Sequence, residues 1–243
     1  MRRSGGEGKI KKRKVAIFDI DGTIFRSSLL IEVTEALIDQ GIFPDVVRMV
    51  YARSHRRWLD RKGSYDDYLR EVIRAFEGHI AGIRYQDFLR VARSVIKFHR
   101  SRVYRYTRSL VRDLKKRGYF LLAISKSPKG IVDLFARNLG FDKVYGLLYE
   151  TDGRKRYTGN ILSFDLMSDK AKILARAIEK ENLTLRDSYG VGDSESDIAF
   201  LRLVQNPICF NPNSVLYRHA KRAKWKVVVE RKDVVYELNG KKE

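Results

Sequence analysis

A short apolar run that ends in two carboxylates constrains the fold of this chain most. Val15–Phe18 is wholly apolar and is followed at once by Asp19, Ile20, Asp21 and Gly22. An apolar run of this length, bounded by charged residues, is typical of a buried strand. Asp and Gly are turn formers, so we expect a polar turn directly after it. The sequence therefore predicts a buried strand whose carboxyl end carries two acids.

The second half of the sequence alternates between apolar runs and helical patterns. Predicted helices cover Thr107–Arg117, Lys170–Glu181 and about Ser196–Leu203, and predicted strands cover Tyr119–Ile124, Val144–Tyr149, Ser188–Val191, Ile208–Phe210 and Val227–Val229. One more helix is predicted to begin at Ser127 as its N-cap, with Pro128 as the first helical residue. The segment Asp152–Tyr157 is predicted to be a polar, hairpin-like connection. Alternation of strands and helices predicts βαβ units. The predicted fold class is α/β, a Rossmann-like core with a largely parallel sheet flanked by helices.

A helical segment interrupts this pattern after the first strand. Apolar residues recur at helical spacing between Ser27 and Tyr104, with no strand pattern among them. We therefore predict a small, all-helical cap inserted in the core. The predicted boundaries are 26–104 for the cap, 15–25 and 105–243 for the core, and 1–14 for a basic, flexible tail.

Composition is that of a globular protein. The chain has 243 residues, of which 44% are hydrophobic and 33% charged, enough to bury a core and too apolar for a disordered chain. No apolar run approaches the roughly 20 residues that cross a bilayer, and no apolar stretch follows the basic N-terminus as in a secretion signal. The single cysteine, Cys209, cannot form an intramolecular disulfide. We therefore expect a cytoplasmic protein.

The formal net charge of +20 is the unusual part of the composition. A positive field attracts anions, so phosphorylated metabolites, anionic lipid head groups and nucleic acid are all candidate partners. The basic residues are spread along the chain, with local concentrations at Arg2–Lys14 and Arg218–Lys232. A general bias towards basic residues explains the same composition, so charge alone does not select a partner.

Polar side chains follow several predicted strands, at the edge where open parallel sheets bind ligands. These side chains are Asp19, Asp21, Ser125, Asp193 and Asp197, together with Lys170 at the start of a helix. A carboxylate can act as a nucleophile and form an aspartyl-phosphate, and further carboxylates can hold Mg²⁺, which prefers oxygen ligands. A hydroxyl and an ammonium group complete a site suited to phosphoryl transfer. Each residue alone fits an ordinary turn, cap or surface role, and only the set indicates this chemistry.

The same residues resemble the four motifs of the haloacid dehalogenase-like phosphatases. Val15–Thr23 is similar to the first motif of that family, and Ser125 after an apolar strand to the second. Lys170 resembles the lysine of the third motif and Gly192–Asp197 the fourth motif. The motifs occur in the family's order, and the resemblance covers roughly 14–229. The inserted helices resemble the cap of the phosphoserine-phosphatase-like branch.

The resemblance implies a role for each acid. Asp19 would attack phosphorus and bind Mg²⁺, while Asp21 would protonate the leaving group, then activate water, and offer the metal its backbone carbonyl. Asp193 would be a further ligand of Mg²⁺, and Asp197 would orient Lys170 or the waters of the metal. Family members that do not transfer phosphate generally lack a carboxylate at the position of Asp21. The resemblance thus implies a Mg²⁺-dependent phosphatase that forms an aspartyl-phosphate.

The resemblance also implies the groups that contact the substrate. The phosphate contacts would be Gly22, Thr23, Ser125, Lys126 and Lys170, with Lys172 as an alternative match for the lysine. Arg26, close to the first motif, is a candidate contact for the leaving group, whereas a cluster farther into the cap fits a solvated helix face as well: Arg53, Arg56 and Arg57. Lys126 and Ser127 stand where phosphoserine-specific enzymes usually have a Gly-Gly pair, which counts against phosphoserine itself.

Three functions stay open at this point. The function that we expect is hydrolysis of a small phosphorylated substrate. The second is a phosphatase or phosphotransferase that acts on lipid phosphates at an anionic membrane surface. The third is a nucleic-acid-binding protein without turnover, which the complete set of acids argues against, as does the lack of a zinc finger or a stacking aromatic platform.

Overall fold

The computed structural model describes residues 12–238, which form one sheet covered by helices. The strands are β1 Arg13–Asp19, β2 Phe120–Pro128, β3 Lys143–Thr151, β4 Tyr157–Leu162, β5 Leu183–Gly192, β6 Asn206–Phe210, β7 Lys226–Arg231 and β8 Val234–Glu237. Their order in the sheet is β4-β3-β2-β1-β5-β6-β7-β8. β1 runs parallel to both of its neighbours, while the outermost pairs, β3 with β4 and β7 with β8, are antiparallel. The predicted α/β class with a largely parallel sheet is confirmed.

Helices cover both faces of this sheet. They are α1 Leu29–Asp39, α2 Arg48–Leu59, α3 Tyr65–His79, α4 Tyr85–His99, α5 Arg105–Lys116, α6 Lys129–Leu139, α7 Phe164–Met167, α8 Lys170–Lys180, α9 Ile198–Leu201 and α10 Ser214–Ala223. Alternate residues of a strand point to opposite faces, so Ala16 and Phe18 join the core with α1 to α6, and Val15 and Ile17 join the core with α8 to α10. This burial on both faces explains the continuous apolar run at the start of the sequence. Among residues 12–238, none of the helices combines the length and apolar character that spanning a membrane requires.

Helices α1 to α4 are inserted between β1 and α5. The two chain crossings lie side by side, because Phe25 and Val103 pair in an antiparallel bridge. The insert is also attached to the sheet edge, where the Gly82 N–H donates to the Tyr157 carbonyl of β4 at 2.7 Å. The Phe88 ring of α4 packs edge-on against Tyr157 at 5.7 Å between centroids. The insert is therefore attached to the core both at its two chain crossings and at the sheet edge.

Two sequence predictions need correction. Ser127 and Pro128 belong to β2, and Pro128 is the residue before α6, so Ser127 does not cap that helix. The Ser127 hydroxyl instead donates to a carboxylate, that of Asp21. Arg13 and Lys14, predicted as tail, are the first residues of β1. The rest of the predicted basic tail, residues 1–11, lies outside the described residues.

Candidate active site

A buried ammonium group joins two of the predicted acids. Asp19 ends β1, Lys170 begins α8, and Asp197 lies in the turn after β5. Lys170 Nζ is 2.5 Å from Asp19 Oδ1 and 2.5 Å from Asp197 Oδ1, and the three side chains are 3%, 8% and 0% exposed. A buried charge is stable only when it is paired. One partner ends β1, and the other lies in the turn that follows β5. The alternative lysine, Lys172, is exposed.

The second oxygen of Asp197 holds the loop that carries Asp193. Asp197 Oδ2 accepts hydrogen bonds from the N–H groups of Asp193 at 2.9 Å and Ser194 at 3.0 Å. Gly192 permits this turn, because a Cβ added there would lie 2.5 Å from the Asp197 side chain. Asp197 therefore positions both Lys170 and the backbone of Asp193.

Gly22 allows the loop after β1 to approach Asp193 closely. Its φ is +79°, in the left-handed region that favours glycine, and an added Cβ would lie 2.1 Å from Asp193 Oδ2. Among residues 12–238 no group donates a hydrogen bond to the Asp193 carboxylate. Both oxygens of Asp193 are therefore open to a ligand, directly beside the loop of the first motif.

The carboxylate of Asp21 is held by two hydroxyls and by the start of α1. Asp21 Oδ2 accepts from Ser125 Oγ at 2.6 Å and from Ser127 Oγ at 2.9 Å. Asp21 Oδ1 accepts from the N–H of Leu29, the first residue of α1, at 2.5 Å, and the Leu30 N–H donates to Ser127 Oγ at 3.1 Å. The N-terminus of a helix favours a negative charge. The orientation of Asp21 thus depends on both β2 and the first helix of the insert.

The acids carry more negative charge than the one lysine offsets. Burial raises the pKa of Asp19 to about 7, against the effect of the Lys170 ammonium. Burial also raises the pKa of Asp193 well above its usual range, and the charges of Asp19 and Asp197 raise it further. Burial lowers the pKa of Lys170, but the same two acids outweigh it and raise the pKa above the usual value. A further cation would relieve this excess of negative charge.

The donor set fits Mg²⁺. Asp19, Asp193 and Asp197 each offer a carboxylate oxygen, and these oxygens lie within 4.8 Å of one another. An all-oxygen set of this kind suits a hard cation. The Asp21 carboxylate is not in this group, and both of its oxygens accept the hydrogen bonds described above. A contribution from the Asp21 backbone carbonyl, implied by the resemblance, stays a prediction.

Comparison with known proteins decides the family. Residues 16–202 match the family described as haloacid dehalogenase-like hydrolase. The chain belongs to the haloacid dehalogenase-like hydrolases. The resemblance stated from the sequence motifs is therefore confirmed at the level of the family.

Individual relatives of this haloacid dehalogenase-like protein include phosphatases. The chain is 25% identical to the histidinol-phosphatase of Neisseria meningitidis serogroup C, over 89% of this chain and 98% of that protein. It is 22% identical to the phosphoserine phosphatase of Archaeoglobus fulgidus, over 85% of this chain and only 55% of that longer protein. A solved structure described as a phospho-aspartyl intermediate analogue of phosphoserine phosphatase has a TM-score of 0.59 and 21% identity, over 92% of this chain and 96% of that one. These similarities support the phosphoserine-phosphatase-like branch.

The remaining predicted contacts differ in their exposure. Thr23 is fully buried, and its hydroxyl has no hydrogen-bond partner among the described residues. Lys126 is exposed beside Ser125. Arg26 is also exposed, with its guanidinium carbon 5.4 Å from the centre of the Tyr104 ring. Because buried hydroxyls normally have a partner, Thr23 is suited to contact a ligand, and the predicted roles of Lys126 and Arg26 stay predictions.

Tyr65 of the insert was not predicted from the sequence as a site residue. Tyr65 is the first residue of α3, and its ring contacts Trp58 of α2 at 5.3 Å between centroids. Burial raises the pKa of the Tyr65 hydroxyl, and the charges of Asp21 and Asp193 raise it further, so the hydroxyl lies within the field of the acids. Ser64, the N-cap of α3, marks this helix start in the sequence. Only the tertiary packing shows which loops the helix start faces.

We predict that Gly22→Ala weakens binding of Mg²⁺. The left-handed backbone costs an alanine about 1–2 kcal/mol of folding stability, and the new methyl group must displace Asp193. Displacement of a metal-binding carboxylate lowers metal affinity about tenfold or more, which calorimetric titration with Mg²⁺ measures.

Gly41→Ala is the matched control for this change. Gly41 has a φ of +67° but no atom within 4 Å of an added Cβ. Chemical denaturation should therefore give a similar loss of stability for both variants. Equal Mg²⁺ affinities of the two variants would show that Asp193 does not hold the ion.

Proposed function

We propose that this chain hydrolyses phosphomonoesters, with Asp19 as nucleophile and Asp21 as acid and base. The observation that carries the proposal is the buried Lys170 ammonium, 2.5 Å from an oxygen of Asp19, whose carboxylate lies within 4.8 Å of that of Asp193. The ammonium fixes one Asp19 oxygen and offsets the charge of an incoming phosphate. The relatives named as phosphatases support the same chemistry.

The first step transfers the phosphoryl group to the enzyme. An oxygen of Asp19 forms a bond to phosphorus as the bond between phosphorus and the ester oxygen breaks. The leaving oxygen takes the electron pair of that bond and a proton from Asp21. Burial raises the pKa of Asp21, which favours the protonated form that this step needs. The products are an alcohol and a phosphorylated Asp19.

The second step releases the phosphate. Asp21, now a carboxylate, takes a proton from a water molecule, whose oxygen forms a bond to phosphorus. The bond between phosphorus and Asp19 breaks, and the carboxylate of Asp19 is restored. The hydrogen bonds that Asp21 accepts from Ser125, Ser127 and Leu29 stabilise its charged form in this step. One residue thus serves as acid and base in turn.

The remaining groups bind the phosphate and the cofactor. Asp19 and Asp193 would hold Mg²⁺, with Asp197 as the third nearby carboxylate. When bound, Mg²⁺ supplies positive charge that reduces repulsion between the acids and the phosphate. The Ser125 hydroxyl, the amide of Lys126, the buried Thr23 hydroxyl and the backbone at Gly22 would contact the phosphoryl oxygens.

Removal of the metal tests this function. We expect the full chain to release phosphate from some members of a panel of small phosphomonoesters, including phosphoserine and histidinol phosphate. Because the buried acids repel a phosphate when no cation is bound, chelation by EDTA should reduce release about a hundredfold or more, and added Mg²⁺ should restore it. Unchanged release after chelation would contradict the proposed role of the acids.

We predict that Ser127→Ala lowers kcat about tenfold, the effect of one lost hydrogen bond of about 1.4 kcal/mol. Ser127 orients Asp21 without contacting the phosphate, so KM should change little. Steady-state kinetics at saturating Mg²⁺ measure both constants.

Ser188→Ala controls for the loss of a buried hydroxyl. Ser188 is fully buried, and its hydroxyl donates to the Leu185 carbonyl at 2.5 Å within β5, with no contact to Asp21. It should keep the kcat of the unmodified protein. If Ser188→Ala and Ser127→Ala lower kcat equally, Ser127 acts through stability alone and does not position Asp21.

A further inference from the structure

Helix α2 has one face buried and the opposite face in solvent. Val47, Tyr51 and Ser54 are buried against the rest of the insert. At 100° per residue, Met49, Arg53 and Arg56 lie on the opposite side. We call the outer face of α2 these three residues together with the exposed Val46 of the preceding turn and Arg57 at its edge.

The first part of this outer face is apolar. Val46 is 66% exposed and Met49 72% exposed, and Val50 beside them is 43% exposed. Single exposed apolar side chains are ordinary on protein surfaces. Here the exposed apolar side chains are neighbours on one helix and its preceding turn. A group of exposed apolar side chains is typical of a surface that binds a protein, a membrane or a ligand.

The second part of the outer face is cationic. Arg53 and Arg56 have no acidic partner within ion-pair distance among residues 12–238, and the same holds for Arg61 and Lys62 just after the helix. By contrast, Arg48 at the start of α2 is paired with three acids. Asp60 is the acid at this end of the face, so the net charge there is clearly positive.

We propose that the outer face of α2 binds an anionic lipid surface. A helix with aliphatic residues beside arginines suits the interface of a bilayer, where the apolar side chains enter the acyl boundary and the arginines meet lipid phosphates. A nucleic acid would use the arginines, but its charged phosphate backbone offers no apolar layer for Val46 and Met49 to enter. The apolar part of the face therefore favours lipid.

Helix α2 packs, through its buried side, against the helix start that carries Tyr65. Trp58, near the end of α2, contacts the Tyr65 ring at 5.3 Å, and the Tyr65 hydroxyl lies in the field of Asp21 and Asp193. The inference concerns binding alone and holds whether or not the chain turns over phosphomonoesters.

Co-sedimentation of the full chain with vesicles tests the inference. Vesicles of phosphatidylcholine with about one third phosphatidylglycerol should bind the protein, and phosphatidylcholine alone should bind it about tenfold less. Arg53→Glu/Arg56→Glu should reduce binding to the anionic vesicles about tenfold or more. Val46→Ser/Met49→Ser should reduce binding severalfold and leave the charge unchanged.

Helix α10 supplies matched controls for both pairs. Arg218→Glu/Arg222→Glu makes the same charge change on exposed residues, and Val215→Ser/Tyr217→Ser removes exposed apolar side chains. All these positions are exposed, so thermal unfolding should be nearly unchanged.

Three results would overturn the proposal. One is equal loss of binding in the α2 and α10 charge variants, which would assign the binding to net charge alone. Another is tight, salt-dependent binding to duplex DNA with none to anionic vesicles. The last is that the unmodified chain does not bind vesicles but associates with itself, and that Val46→Ser/Met49→Ser abolishes this self-association. The face would then be a contact between two copies of this chain.

Discussion

Asp19→Asn should lower kcat for phosphate release about 10⁴-fold or more, the scale at which loss of a nucleophile acts. An amide cannot attack phosphorus as a carboxylate does. The folded structure should persist, because Asn has the shape of Asp and the pKa of Asp19 is already raised to about 7 by burial. Lys170 keeps its second partner, Asp197. Steady-state kinetics and circular dichroism check both expectations.

Asp60→Asn is the control for this change. Asp60 is exposed at the end of α2, so the same chemical replacement there should leave kcat unchanged. If the two variants have comparable activity, a residue other than Asp19 attacks the phosphate.

Lys170→Met should remove most activity and also destabilise the fold. Two buried acids would lose their shared partner, which costs about 3–5 kcal/mol when one member of a buried pair is removed. The Lys170 ammonium stabilises the negative charge on the phosphoryl group during its transfer, and its loss should lower kcat about 10³-fold. Urea denaturation and steady-state kinetics measure the two effects.

Lys172→Met is the control, because Lys172 lies two positions along α8 and is exposed. It should change neither stability nor kcat beyond a small amount. A strong loss of activity in Lys172→Met but not in Lys170→Met would assign the third motif to the other lysine.

The cost of Lys170→Met should depend on pH. The charge of Lys170 lowers the pKa of Asp19, which burial raises to about 7, so the variant raises that pKa further. A carboxyl whose folded pKa exceeds its unfolded pKa stabilises the fold at low pH, and this contribution is lost as pH rises through the folded pKa. The metal-free variant should therefore lose more stability, relative to the unmodified chain, at about pH 8 than at about pH 5.

The sequence predicted the parts of the site that follow buried strands. Asp19 and Ser125 end apolar runs, and parallel strands bring their carboxyl ends to one edge of a sheet. The pairing of Asp19 with Ile124 in neighbouring strands shows this directly. Lys170 and Asp197 followed from the order of the motifs, and their contact at 2.5 Å agrees with the predicted role.

Other parts depend on packing that a linear pattern does not contain. Ser127 precedes a proline, and this pattern favours a helix cap. In the structure Ser127 lies in β2 instead, where its hydroxyl donates a long-range hydrogen bond to Asp21. Tyr65 was missed because only the tertiary packing brings its hydroxyl into the field of Asp21 and Asp193. β8 was not predicted, because all four of its residues are exposed and show no buried alternation. α10 was not predicted either, since it has only two buried residues.

Helix α1, which begins the insert, is hydrogen-bonded to the proposed acid and base, Asp21. Leu29 and Leu30, at the start of α1, donate to Asp21 and Ser127. Any movement of α1 relative to β2 would therefore change how Asp21 is held. The geometry connects the orientation of the acid to the position of the insert, in addition to any role of the insert in excluding water.

The most direct test of the central claim is detection of phosphate on Asp19. With p-nitrophenyl phosphate, whose leaving group needs no proton, Asp21→Asn should form the phosphorylated enzyme and hydrolyse it slowly. Rapid acid quenching should show a burst of one nitrophenol per enzyme, and mass spectrometry should place one phosphoryl group on Asp19. Absence of both the burst and the modification, or a phosphoryl group on another residue, would contradict the account.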